Sequence, residues 1–323
     1  MSIKISVIVP TYNRPDLLLR CLRSLIAQKF NRDAYEIIIV SDGPDGLTEK
    51  RVTNWLKRRL HHVRYFVLPD KKGPAAARNY GWLHARGELI AFTDDDCVPD
   101  KNWLKAFYAK YTQGKEVAFT GKTIVPVAKR PTDYELNIAG LQNADFITAN
   151  CCVNKKVLER TGGFDEQFTM AWREDSDLEF KLLNENIKIE KIEAAIVVHP
   201  VREAMWGVSI KEQKKTMFNA LLYKKYPALY RQKIQAKPQL NYYLIILGFI
   251  IMITGFISKV PLLSIAGSIL WVGLTLLFII KRLLPTSLSV NHVFEMIVTS
   301  LIIPFLSIYW QFYGAIKYRV LFI

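Results

Sequence analysis

The 323-residue sequence is poor in cysteine, with four, and the adjacent pair Cys151-Cys152 forms no CxxC motif with Cys21 or Cys97. Neither a disulfide framework nor a cysteine-built zinc site is indicated. No GxGxxG or Walker P-loop run follows the first apolar segment, which argues against a dinucleotide oxidoreductase and a P-loop ATPase. No repeat of about 20–50 residues and no low-complexity tract is visible. Acidic residues are the minority charge, 29 against 44 Lys+Arg, for a net charge of +15. Half of the residues are apolar, which excludes a disordered tail. Ile3–Pro10 is too short for a secretory leader and runs straight into Thr11-Tyr12-Asn13-Arg14, so the soluble part is expected to stay in the cytoplasm.

Charge is absent altogether from two long stretches. Leu240–Ser258 has 19 uncharged residues and Val260–Ile280 has 21, separated only by Lys259. Each run spans roughly 30 Å as a helix, the hydrocarbon thickness of a bilayer. A third run, Met296–Ile316, carries Pro304 and is flanked by Glu295 and Lys317; it reads as a span or a re-entrant helix. Residues 1–239 keep 39 basic and 28 acidic side chains, so most of the excess charge belongs to the soluble part. Lys224, Lys225, Arg231, Lys233 and Lys237 precede the first span, where membrane lipids of the cytoplasmic face would hold them. No nucleic-acid-binding module is present, and a membrane accounts for the basic excess.

The first hundred residues alternate in period. Ile3–Val9 is a β-branched run ended by Pro10, and Pro15 opens a helix with apolar residues Leu18, Cys21, Leu22, Leu25 and Ile26. Glu36–Val40 repeats the strand signal before the turn-rich Ser41–Gly46 and a polar helix over 47–60. Val63–Leu68, a helix over Ala75–Ala85 and Leu89–Phe92 continue the pattern. This order predicts an α/β fold with a mostly parallel, Rossmann-like sheet and helices on both faces. The loops Thr11–Arg14, Ser41–Asp45 and Asp94–Asp96 all follow strand C-termini and should gather along one edge. Further on, a strand is expected at Val117–Val125, a helix at Asp175–Leu183 and a strand at Ala194–His199.

Asp94-Asp95-Asp96 ends an apolar strand. Side chains alternate along extended chain, so Asp94 and Asp96 can face one side and share a hard divalent cation. Such a cation would make a diphosphate a better leaving group. Together with these acids, Ile8-Val9-Pro10-Thr11-Tyr12-Asn13-Arg14, Ser41-Asp42-Gly43, Ala76-Ala77-Arg78-Asn79, Gly162-Gly163-Phe164-Asp165-Glu166 and Glu174-Asp175-x-Asp177-Leu178 resemble the successive motifs of the family 2 glycosyltransferases, in order, across roughly residues 3–200.

The resemblance implies a GT-A fold over residues 1–220, an inverting mechanism, a nucleotide-diphosphate sugar donor with a UDP-sugar favoured, and Mn2+ or Mg2+. It implies donor contacts from Pro10, Tyr12, Arg14, Asp42, Arg78, Asp94 and Asp95, and metal ligands in Asp94, Asp96 and His199. Asp175 matches the catalytic base, with Glu174 the competing residue; Asn150, Trp172 and Glu174 fall on the acceptor side. A basic juxtamembrane segment, 221–239, and a membrane region, 240–323, with two to three helices at 240–258, 260–280 and 296–316, would follow. Nothing after His199 matches the Gln-x-x-Arg-Trp of processive synthases, so transfer of a single sugar to a lipid-linked or cell-envelope glycan is expected at the inner membrane. The sugar placed directly on a polyprenyl phosphate, or a silent membrane adaptor, are the alternatives. Ser41-Asp42-Gly43-Pro44 departs from the commoner two-acid pattern, which weakens the reading of base preference.

Overall fold

The computed structural model describes residues 2–56 and 62–322. Two compact units emerge: one runs to Pro126 and resumes over Gly140–Val201, and the other joins Val127–Ala139 to the chain from Arg202 onward. Residues 202–220, expected within the catalytic domain, group with the C-terminal unit.

The first unit is built on β1 (Ile5–Thr11), α1 (Pro15–Ile26), β2 (Tyr35–Ser41), α2 (Gly46–Leu56), β3 (Val63–Val67), α3 (Pro74–Leu83) and β4 (Leu89–Phe92). The part of the predicted helix over 57–60 lies outside the described residues. Next come β5 (Val98–Pro99), α4 (Trp103–Lys110) and β6 (Ala118–Ile124); α5 (Asp133–Ala139) belongs to the second unit. β7 (Cys151–Asn154), α6 (Lys155–Thr161), α7 (Glu174–Asn184) and β8 (Ile189–Val198) complete the first. The sheet order is β3-β2-β1-β4-β7-β6-β8-β5. Strands β3, β2, β1 and β4 are parallel neighbours, while β7 runs antiparallel between β4 and β6.

Every residue of β1, β2 and β4 is buried, as expected of strands covered on both faces. Their side chains alternate between two cores. Ile5, Val7, Val9, Ile37, Ile39, Leu89 and Ala91 meet Leu18, Leu22 and Leu25 of α1 and Trp103 and Phe107 of α4. Ile8, Ile38, Val40, Ile90 and Phe92 meet Ala75–Ala77 of α3, Leu158 of α6 and Leu178 and Leu182 of α7. This period of two positions helices on both sides. Each fully buried Leu contributes about 1.5–3 kcal/mol.

The chain order sets the site. β2 and β3 build outward from one side of β1, and β4 then joins its other side. The order reverses between β1 and β4, and the crevice for ligands opens at the C-terminal ends flanking such a reversal. Thr11 and the Asp94–Asp96 loop stand there.

Strand β7 falls where no strand was expected, because the four residues that begin at Cys151-Cys152 carry too short a pattern to stand out. β5 is only two residues and was hidden in the turn before α4.

The second unit contains α5, α8 (Val208–Glu212), α9 (Met217–Lys225), α10 (Pro227–Lys233), α11 (Leu240–Ile257), α12 (Pro261–Leu283) and α13 (Val290–Tyr318). The last three are long and apolar enough to cross a membrane. α11 and α12 pack through small residues: a Cβ on Gly255 would meet Ser264 N at 2.3 Å, and one on Gly267 would meet Met252 N at 2.2 Å. α13 continues through Pro304 for 29 residues, so the third apolar run is one helix that takes in Glu295 and Lys317.

Candidate active site

Loops distant in the chain converge at the C-terminal ends of β1, β2 and β4. Asn13 N donates to Asp45 Oδ2 at 2.7 Å, and Asp42 N donates to Thr11 O at 2.9 Å. Thr11 Oγ1 donates to Asp95 Oδ2 at 2.7 Å, and Arg14 reaches Asp95 Oδ1 at 3.3 Å. Asp95 is buried, and burial pushes its carboxyl up to about 6, with the neighbouring Asp96 and Asp94 adding to the rise against Arg14 and Thr11.

Asp94 and Asp96 do share a side, but a turn and not strand alternation brings them there. β4 ends at Phe92, and Cys97 N donates to Asp94 O at 3.1 Å. Asp96 Oδ1 lies 3.6 Å from His199 Nε2. One ligand atom from each of Asp94, Asp96, Cys97 and His199 lies within 4.8 Å of all the others. His199 is buried, and its Nδ1 has no hydrogen-bond partner among the described residues. Two carboxylates and a buried imidazole within this distance fit a divalent cation such as Mn2+.

Arg78, buried on α3, joins this cluster to the start of α7. Its guanidinium donates to Asp94 Oδ1 at 2.8 Å and to Glu174 Oε1 at 3.1 Å. α7 begins after Arg173, whose φ of 74° turns the chain, and places Glu174, Asp175 and Asp177 in its first turn. Carboxylates there are favoured by the helix dipole. Burial raises the Glu174 and Asp175 carboxyls above the ordinary range; each is moderated by Arg78, and the charge of Asp94 adds to the rise at Asp175. Asp175 is partly exposed and accepts from Ser176 N at 2.7 Å. The guanidinium of Arg173 sits 4.7 Å over the ring of the partly exposed Trp172.

Other expected residues meet different surroundings. Pro10 is buried in β1, in register with Val40. Tyr12 lies in the convergent loop, its ring covered by Lys71 Nζ at 4.2 Å, a cation–π contact that the sequence did not suggest. Asp42 already accepts from the backbone of Lys72 at 2.8 Å and of Gly73 at 2.8 and 3.0 Å, so its carboxylate first secures this loop. Gly73 is obligatory there: its φ is 103°, and a Cβ would meet Thr169 O at 2.4 Å. Arg78, expected among the donor contacts, is held between two carboxylates.

Asn150, expected on the acceptor side, is held by protein partners. It is fully buried; its Oδ1 accepts from Trp103 Nε1 at 2.8 Å and its Nδ2 donates to Ala195 O at 3.0 Å. Its amide joins α4 to β8. Cys97 is the residue that sequence reasoning missed. Its adjacency to the acid cluster was visible, but its proximity to His199 was not.

Residues 6–173 match the model of glycosyl transferase family 2. The aligned stretches span 33%, 39% and 22% of the first three curated relatives, so the chain corresponds to under half of each. The GalNAc(5)-diNAcBac-PP-undecaprenol beta-1,3-glucosyltransferase of Campylobacter jejuni is 38% identical over 94 residues, 29% of either chain. Among solved structures, the mannosyltransferase PcManGT of Pyrobaculum calidifontis, in complex with GDP-Man and Mn2+, superposes over 99% of this chain and 88% of its own, with a TM-score of 0.57 and 17% identity. S. aureus TarS 1-349 in complex with UDP-GlcNAc covers 92% of this chain and 90% of its own, with a TM-score of 0.52 and 18% identity. These neighbours share the GT-A fold. With more than half of its length on the family model, and its motif residues gathered along one sheet edge, the chain belongs to glycosyl transferase family 2.

Proposed function

We propose that this protein is an inverting, membrane-anchored glycosyltransferase that moves one sugar from a nucleotide-diphosphate sugar to a lipid-linked or cell-envelope glycan. The observation that carries this reading is the double contact of Arg78, which holds the Asp94 cluster beside the carboxylates that open α7.

In this reading the nucleotide lies over the convergent loops. Tyr12 and Lys71 offer a flat cationic surface to the base or ribose, and Asp42 holds the loop at Gly73 beneath them. Asp94, Asp96 and His199 would hold a divalent cation, Mn2+ or Mg2+. When bound, the cation neutralises charge on the diphosphate. Asp175 takes the proton of the acceptor hydroxyl as its oxygen bonds to the anomeric carbon. The bond from that carbon to the diphosphate oxygen breaks, and the nucleoside diphosphate leaves with the electron pair. Its elevated carboxyl pKa makes Asp175 a stronger base than an exposed aspartate once ionised. Glu174, bound to Arg78, keeps the helix start in place and is the less available base.

Three membrane-length helices and the basic run Lys224, Lys225, Arg231, Lys233 and Lys237 support an enzyme working at the cytoplasmic face of the inner membrane. The undecaprenol-linked substrate in the name of the Campylobacter relative supports a lipid-linked glycan acceptor. The test is a donor screen that measures nucleoside diphosphate release by the full chain in detergent, starting with UDP-sugars, with Mn2+, Mg2+ or a chelator. Polyprenyl-diphosphate sugars and polyprenyl phosphate are compared as acceptors. Turnover on polyprenyl phosphate alone would replace the glycan reading with direct lipid glycosylation, and no cation-dependent release from any donor would overturn the proposal.

A further inference from the structure

The register of two short strands puts a thiol into the cation cluster. β5 pairs antiparallel with β8, Val98 opposite Val198 and Pro99 opposite Val197. One step beyond that ladder, Cys97 falls opposite His199. The Sγ atom, His199 and one oxygen each from Asp94 and Asp96 lie within 4.8 Å of one another. Cys97 is fully buried, and its thiol lies 3.9 Å from Asp96 Oδ1 and beside the backbone of Asp94. His199 is more than nine-tenths buried, and its Nδ1 has no hydrogen-bond partner among the described residues. A buried thiol beside a buried imidazole and two carboxylates has the composition of a mixed-ligand metal site.

We propose that Cys97 is itself a metal ligand, and that its sulfur shifts the Asp94, Asp96 and His199 cluster toward borderline cations such as Zn2+ and Co2+ at the expense of Mg2+. The inference rests on the reading of that cluster as a cation site and adds a ligand to it. Carboxylate oxygens suit Mg2+ and Mn2+, whereas sulfur and imidazole nitrogen select later, softer ions. On ligation the Sγ–H bond breaks, the proton passes to solvent and the sulfur electron pair forms the bond to the metal. No oxidation state changes.

The experiment uses the full chain in detergent, titrated with Co2+ alone. The visible cobalt bands report binding, and a near-ultraviolet charge-transfer band reports a thiolate on the ion. The expected result is both signals in the wild type, with loss of only the near-ultraviolet band in Cys97→Ser. Calorimetry should then show the Zn2+ to Mg2+ affinity ratio falling by about tenfold or more. Cys97→Ala is run alongside, because a buried hydroxyl could itself disturb the fold. Visible bands without the near-ultraviolet band in the wild type would overturn Cys97 ligation and leave the cation site standing. Retention of the band in both variants would also overturn it, since another thiol would be responsible. Failure of Co2+, Mn2+ and Zn2+ alike to bind would remove the cation site together with the inference.

Discussion

Arg78 and Glu174 lie 96 positions apart in the chain and meet in a buried hydrogen bond of 3.1 Å. The same guanidinium reaches Asp94 at 2.8 Å, so one cation on α3 neutralises an acid from each side of the candidate site. Two carboxylates brought this close would repel each other without it.

Removal of that cation should be costly twice over. Arg78→Ala leaves Glu174 buried and uncompensated, and stability should fall by about 3–5 kcal/mol. Arg78→Lys keeps the charge but not the fork that spans both acids. Its transfer rate should fall well below that of wild type, while the folded protein survives thermal denaturation better than Arg78→Ala. Equal melting temperatures for wild type and Arg78→Ala would contradict the bridge.

Asp175→Asn removes the proposed base and keeps the shape. Its kcat should drop by about 10²–10⁴-fold with little change in donor KM. The acid limb of the kcat/KM profile in wild type should lie above the ordinary aspartate range, because burial raises this carboxyl and only its ionised form accepts a proton. Activity is therefore lost as pH falls through the raised value. A Glu174→Gln variant with the larger kcat loss would transfer the role to Glu174.

Asn150 tests structure against acceptor contact. Asn150→Ala leaves Trp103 Nε1 without its 2.8 Å partner, and stability should fall by about 1–3 kcal/mol. Acceptor KM should stay within about twofold of wild type, as expected for residues without substrate contact. A selective rise in acceptor KM with unchanged stability would return Asn150 to the acceptor side.

Glu36 offers a pH test away from the site. It is fully buried in β2, 3.2 Å from Arg64 and 2.8 Å from Arg86. Burial alone would raise its carboxyl, but hydrogen bonds from the side chain and backbone of Arg86 and from Ser6 outweigh that effect and hold it below the ordinary value. An acid depressed in the folded state contributes stability above its unfolded pKa, about 4.3, and loses it as pH falls through the folded value. Urea denaturation of Glu36→Gln should show lower stability at neutral pH, by about 1–3 kcal/mol, and a shallower acid slope. An acid slope identical to that of wild type would exclude Glu36 as its source.

In the second unit, Arg282 on α12 forms two bonds with Asp133 on α5, at 3.2 and 2.8 Å, and also donates to Thr299 and Ser300 of α13 at 2.8 and 2.9 Å. The pair fastens Val127–Ala139 to the membrane-length helices. Asp133→Asn should lower the detergent melting temperature more than Lys122→Gln, whose contact with Glu193 is an exposed 3.9 Å ion pair. Equal effects of the two substitutions would show that the α5 contact is not structural.

Much of this arrangement was legible before any coordinates. Leu89–Phe92 reads as a strand from four apolar residues ahead of an acidic turn, and it is one. The helix beginning near Asp175 and the three apolar helices likewise follow from local period and length. The hidden parts are short or depend on partners. β5 has two residues, β7 has four, and neither carries enough pattern to identify itself.

The sequence by itself determined that a buried sheet would alternate with helices, that carboxylates would follow β4, and that three segments would be long and apolar enough for a bilayer. These properties are local, a period of two or 3.6 residues, an acidic triplet or an uncharged run, so neighbouring positions suffice to reveal them. Only the tertiary structure decided that Arg78 would bridge Asp94 and Glu174, that Asn150 would spend its amide on Trp103 and Ala195, and that Cys97 would stand opposite His199. Those relations depend on strand register and helix packing, and a register shift of one residue turns a side chain to the opposite face.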